Sequence, residues 1–272
     1  MSTNTIGATA AERAGAPAVT SATARLTALG RAELTLLCRN KTALFMSLVI
    51  PVALAFAMKQ AVSGMDLRGS GLSVGTVLLP AALGYVLLFG VYSNLTGSYV
   101  ARREELVLKR LRTGEPRDLE IVAGTALPSV LMGLAQCVLL VVLGGVVLDL
   151  GLPTAPHLLI TGLVIGMLTV VGFAAASSAL AKSAEASQLV VLPLMMMSLM
   201  GSGMVVPLEV LPDRVAGVLQ LLPMSPAMEL IRAGWTGGPD PAATVKLLIS
   251  GLVWAGLAVF AVHRWFRWEP RR

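Results

Sequence analysis

A chain of 272 residues with 21 Lys and Arg against 15 Asp and Glu carries a formal charge of +6, yet only 13% of its residues are charged and 56% are hydrophobic. An ordinary globular domain is about a quarter charged, and a soluble fold of this length has too little interior for so much apolar surface. A mean hydropathy of +0.79 points the same way, and the two cysteines, Cys38 and Cys137, offer neither a disulfide framework nor metal-ligand spacing.

Residues 1–23 are small and polar and read as a disordered cytoplasmic tail; they lack the basic stretch running directly into an apolar one that marks a cleaved leader. Residues 24–41 mix Leu26, Leu29, Leu34, Leu36 and Leu37 with Arg25, Arg31, Glu33 and Arg39. That composition suits an amphipathic helix along the inner interface, or else a short cytosolic extension of the first span.

Charge then disappears in six runs. No Asp, Glu, Lys or Arg occurs from Thr42 to Met58, Gly69 to Ala101, Ile121 to Leu148, Leu150 to Ala181, Ala186 to Leu208, or Leu247 to Val262. A bilayer-spanning helix needs about 20 mainly apolar residues, with every backbone polar group paired inside it. The spacing therefore predicts an all-α membrane protein with six transmembrane helices, their cores near 42–58, 74–96, 121–145, 159–180, 188–206 and 245–262, within one membrane domain from 42 to 267. Pro51 should bend the first span. Lys41, Lys59 and Lys246 sit where they can snorkel to headgroups, and 268–272 forms a C-terminal tail.

Only Lys59, Arg68, Arg214, Arg232 and Lys246 fall in the segments that would lie outside; the other 16 of the 21 basic residues fall inside if both termini are cytoplasmic. This is the positive-inside pattern of a multi-pass protein of the cell (plasma) membrane. The basic balance then reports topology and anionic lipid, with no nucleic-acid partner.

Two connections carry more than charge. In the inner loop 101–120, Glu104 and Glu105 precede Leu108 and Leu111, three apart on one face, with Lys109, Arg110 and Arg112 between and beside them, before Gly114 and Pro116 end the run. The pattern fits a short docking helix and fits equally a topogenic charge run. In the outer connection, 207–243, the uncharged stretch from Val215 to Met228 is too short and too interrupted by Pro223 and Pro226 to cross. Its apolar face of Val215, Val218, Leu219 and Leu222 predicts a helix dipping into the outer leaflet, followed by a second short helix with Met228, Leu230 and Ile231.

No G-x-x-x-x-G-K-[ST] phosphate loop is present, so the chain is not expected to bind or hydrolyse ATP itself. The cores hold no ionisable group of the kind gradient coupling uses. His157 and His263 lack catalytic partners for a membrane enzyme.

The stretches ELTLLCRNKTALFMSLVIPVAL (33–54), LKRLRTGEPR (108–117) and LPLMMMSLMGSGMVVPLEVLP followed by LLPMSPAMELIRAGW, ending at Trp235, resemble the membrane subunits of ABC-2 type transporters, especially drug exporter permeases related to daunorubicin resistance proteins. The resemblance runs from about Ala24 to Arg267. It implies the type V exporter fold: an N-terminal interface helix, six spans, a coupling helix in the loop after the second span, and re-entrant helices before the sixth. The coupling element would then comprise Glu104, Glu105, Leu108, Lys109, Arg110, Leu111 and Arg112, although Leu106 and Val107 stand where many relatives have Gly-Thr.

The resemblance also implies a particle of two permease copies with two cytoplasmic ABC ATP-binding subunits, which would hold ATP and Mg, and a hydrophobic drug or antibiotic as substrate. An exporter of lipid or polysaccharide is the alternative, and a secondary transporter a more distant one. Asn94, Gln136, Met195, Met196, Met197, Ser198 and Ser202 are candidates for a mixed polar and apolar substrate path, although each taken singly fits ordinary helix packing. Gly162 and Gly166 form a G-x-x-x-G packing motif of unspecified partner. Tyr85, Tyr92 and Tyr99 form a seven-residue stripe facing a cavity, a neighbour or the interface.

Overall fold

The computed structural model describes residues 74–113, 117–147, 153–204, 211–238 and 240–269, with scattered single positions from Thr27 to Ala57, each of them helical. The expected tail 1–23 and most of the interface helix 24–41 and the first span lie outside the described residues. Among those described, the secondary structure is entirely helical. Val74–Tyr85 (α1) runs through a π-helical segment, Val86–Ser93, into Asn94–Glu104 (α2); then follow Val107–Arg112 (α3), Asp118–Val147 (α4), Pro156–Ser178 (α5), Ala184–Gly201 (α6), Asp213–Leu219 (α7), Ser225–Thr236 (α8) and Pro241–Trp265 (α9).

Among the described residues, five helices are long and apolar enough to cross a membrane: Gly75–Glu104, Asp118–Gly145, Pro156–Ser178, Ala184–Gly201 and Pro241–Trp265. They match the second to sixth charge-free runs but overrun several of them. The 30 residues of α4 reach about 45 Å, well beyond the hydrocarbon. The overrun has a local cause at each end. Asp240 accepts a hydrogen bond from the Ala243 N–H (2.7 Å) with Pro241 opening α9, so the helix begins before Lys246. At the far end of α2, Arg102 and Arg103 continue the helix because a charged side chain can leave the hydrocarbon or find a buried partner. α6 does the reverse and stops at Gly201, short of the expected 206, where Gly203 takes a positive φ of 71°.

The continuous helix α1–π–α2 and α5 form the interior: 78% and 61% of their most apolar stretches are buried, against 22% for α9. α5 is the hub, and small residues make it one. Its Gly162 packs on α8, where an added Cβ would meet the Ala227 carbonyl oxygen and the Ile231 nitrogen at 2.8 Å. From the facing side, Gly234 of α8 lies against Leu159, with 2.7 Å from a built Cβ to the Leu159 Cβ. Gly172 seats Ala258 of α9, and Gly251 of α9 seats Ile165. The G-x-x-x-G motif thus has its partner within the same chain. Tyr92 and Tyr99 of the expected stripe also turn inward, 0% and 1% exposed. Tyr92 shares a hydrogen bond with Ser177 of α5 (3.0 Å), and Tyr99 donates to the Val122 carbonyl of α4 (2.9 Å).

At Gly162 the obstacle is backbone, which cannot rotate aside, so Gly162→Ala is expected to cost about 1–3 kcal/mol through overpacking. The thermal unfolding midpoint in detergent should fall. Gly256→Ala, on an open face of α9 with nothing within 4 Å, should not lower it and should raise it slightly, since alanine favours a helix interior over glycine.

Candidate functional site

The loop after α2 is built on a buried arginine. Arg103, at the end of α2, is 1% exposed. It donates from Nη1 to the Ser178 carbonyl (2.8 Å) and from Nη2 to the Ala181 carbonyl (2.6 Å). These carbonyls lie at and just past the end of α5, where the helix leaves acceptors unpaired and its dipole favours a cation. Next in sequence, the Glu104 carboxylate accepts from the Ala184 N–H (3.2 Å), at the positive end of α6, which Ser183 also caps (3.1 Å from the Ala186 N–H). Two adjacent residues therefore hold the α5–α6 connection from both sides.

The chain then reverses. Leu106 takes φ 60°, the only non-glycine with positive φ among the described residues, and α3 begins at Val107. Coupling residues expected on one helix from 104 to 112 are thus divided: Glu104 ends α2, Glu105 lies in the turn, and only Leu108, Lys109, Arg110, Leu111 and Arg112 share α3. Leu108 is 0% exposed, seated where α3 packs on α2 and α4. It anchors the helix to its own chain, whereas Leu111 is half-buried and Glu105, Lys109, Arg110 and Arg112 are exposed.

The segment after α9 folds onto α3. Lys109 pairs with Glu269 (2.9 Å), and Arg112 pairs with Asp118 (3.1 Å) while its guanidinium lies 4.9 Å from the Trp268 ring centroid. Phe266 meets Tyr99 edge-on at 5.6 Å and Trp268 at 4.9 Å.

The candidate path residues separate into two groups. Gln136, Met195, Ser198 and Ser202 are buried. Gln136 lies against Gly90 of the π-helical segment, whose missing side chain gives it room: a Cβ there would sit 2.8 Å from Oε1. Ser202 is 3.4 Å from the Ser225 hydroxyl at the start of α8. Asn94, Met196 and Met197 face outward. Asn94 donates to Ser129 of α4 (3.4 Å), and its neighbour Ser93 donates to Gln188 of α6 (3.3 Å). With Gly97 and Ser98, these residues make a partly open polar strip along an otherwise buried spanning helix. π-helical insertions concentrate at functional sites, and this one runs directly into the strip.

By sequence alone Arg103 and Arg232 read only as charges in the loops. Arg232, 5% exposed in α8, donates to the Gly203 carbonyl just past α6 (2.7 Å). One signal was present for Arg103: it lies four residues after Tyr99, on the face that also buries Tyr92 and Thr96.

A left-handed backbone costs an L-residue about 1–2 kcal/mol, whereas glycine adopts it freely. Leu106 is 40% exposed, so its side chain returns little of that cost. Leu106→Gly is expected to raise the thermal midpoint of the purified protein without changing its membrane insertion; a lowered midpoint would show that the leucine contacts outweigh the strain.

A family model described as ABC-2 type transporter matches residues 24–235. No curated protein matches the chain. The match takes in most of the polypeptide, including the buried α1–π–α2 helix, the loop helix and the α7–α8 pair, and the chain belongs to the ABC-2 type transporter family, as a membrane-embedded, multi-spanning permease subunit of an ABC transport system.

Proposed function

We propose that two copies of this chain, with two separate cytoplasmic ATP-binding subunits that hold ATP and Mg, form an exporter of hydrophobic drugs, antibiotics or related natural products across the plasma membrane. The observation that carries this reading is the polar strip of Ser93, Asn94, Gly97 and Ser98, continued by Gln188 and flanked by exposed Leu192 and Met196 on α6. Polar groups left open within a span are costly against lipid and belong on a protein or water-lined surface. Two such strips facing each other would enclose a path with polar and deformable apolar walls.

Six spans with cytoplasmic termini follow if the run 42–58 also crosses, which the 16-to-five division of basic residues favours. The buried α8 and the partly exposed α7 before it suit a re-entrant pair on the outer side. Glu105, Lys109, Arg110, Leu111 and Arg112 would meet the ATP-binding subunit, while Glu104 and Leu108 hold the loop in place. ATP acts on the permease only by favouring one arrangement of the pair over another. A lipid or polysaccharide exporter would use the same parts with a different path lining.

Native mass measurement of the active particle is expected to give two permeases and two ATP-binding subunits, with ATP hydrolysis stimulated by a lipophilic compound and that stimulation reduced severalfold by Asn94→Leu. Transport by the permease with no ATP-binding subunit would overturn the assembly. Stimulation unaffected by Asn94→Leu would overturn the path.

A further inference from the structure

We infer that the segment Phe266–Glu269 forms half of the surface on which the ATP-binding subunit docks, and that the cleft between it and α3 receives an acidic segment of that subunit. The inference rests on the proposed coupling role of the loop and adds to it a second element, distant in sequence. The cleft measures about 650 Å³ and is lined by Lys109, Arg112, Thr113, Arg267, Trp268 and Glu269. Its two walls are fastened together by the Lys109–Glu269 pair, by Arg112 over Trp268, and by Phe266 between Tyr99 and Trp268. Such contacts orient the segment after α9 against α3, so a partner meeting one wall meets the other.

Charge identifies the occupant. Glu269 offsets Lys109, and Asp118 offsets Arg112. Arg267 is exposed and, among the described residues, makes no hydrogen bond or ion pair, so none of those residues opposes its charge on the cleft wall. A carboxylate from a partner matches a guanidinium in both charge and bidentate geometry. The surroundings have mixed sign, with Glu105 and Glu269 among Lys109, Arg110 and Arg112. This pattern selects a protein surface of complementary arrangement over a uniformly anionic lipid sheet. The cleft also stands on the loop between the end of α2 and the start of α4.

The test uses the full-length tagged chain in its own host membranes, with a photo-crosslinking phenylalanine analogue placed at Arg267 and, separately, at Arg110. Capture at both positions of the subunit identified by peptides carrying the G-x-x-x-x-G-K-[ST] loop is the expected result. Arg267→Glu should lower co-purification of that subunit about tenfold, equivalent to a ratio change of about 1.4 kcal/mol, with the permease itself inserted at the normal level, and Arg267→Lys should restore much of it. Capture at Arg110 alone, or a phospholipid adduct at Arg267, would overturn this inference and leave the coupling loop standing. Capture at neither position would overturn both.

Discussion

Arg103 is the constraint on which the loop after α2 and the helix ends around it depend. A guanidinium at 1% exposure needs hydrogen-bond partners, because burying a cation without them costs several kcal/mol. Nη1 and Nη2 find carbonyls that a helix end would otherwise leave unpaired, so each deficit offsets part of the other at one place. Each hydrogen bond from a charged donor contributes about 1.5–3 kcal/mol. The consequence is geometric as well as energetic: the end of α2, the end of α5 and, through Glu104, the start of α6 are held as one unit. The loop helix α3 leaves from that unit after a single turn at Leu106.

The opposite end of α6 has a related device. Arg232 reaches from α8 to the Gly203 carbonyl, again a buried cation at a helix C-terminal end. Between the two arginines, packing replaces charge. α5 meets α8 and α9 through glycines and alanines, where backbones approach closely enough for dispersion alone to hold helices that lipid would otherwise separate. Polar clamps at the ends and close apolar packing between them produce a stiff interior of α1–π–α2, α5 and α8. The outer faces of α4, α6 and α9 remain exposed for lipid or a second copy.

Much of this was legible in the sequence, for a physical reason: a lipid environment forbids unpaired backbone and penalises charge, so the charge-free runs located α1–π–α2, α4, α5, α6 and α9 directly. Helix ends were less legible, since Asp240 and Ser183 set them by capping and Arg103 by a contact 75 residues away. No local pattern encodes that partner. The loop showed the opposite difficulty. Leu108 and Leu111 share a face by spacing, but periodicity does not say whether that face meets the chain itself or another protein. The candidate path divided in the same way, with Asn94, Met196 and Met197 outward and Gln136, Met195, Ser198 and Ser202 inward, because one helix carries both faces and only the packing of its neighbours decides which is open.

Held by Arg103 and Glu104, the loop and the α5–α6 connection should move as one body. Spin labels at Glu105→Cys and Lys182→Cys, both exposed positions on either side of the clamp, measure this directly by electron–electron distance spectroscopy in the reconstituted complex. The same distance distribution is expected in the nucleotide-free and ATP-trapped states, broadening when Arg103→Leu removes the clamp. A distribution that shifts between the two nucleotide states with Arg103 intact would contradict it.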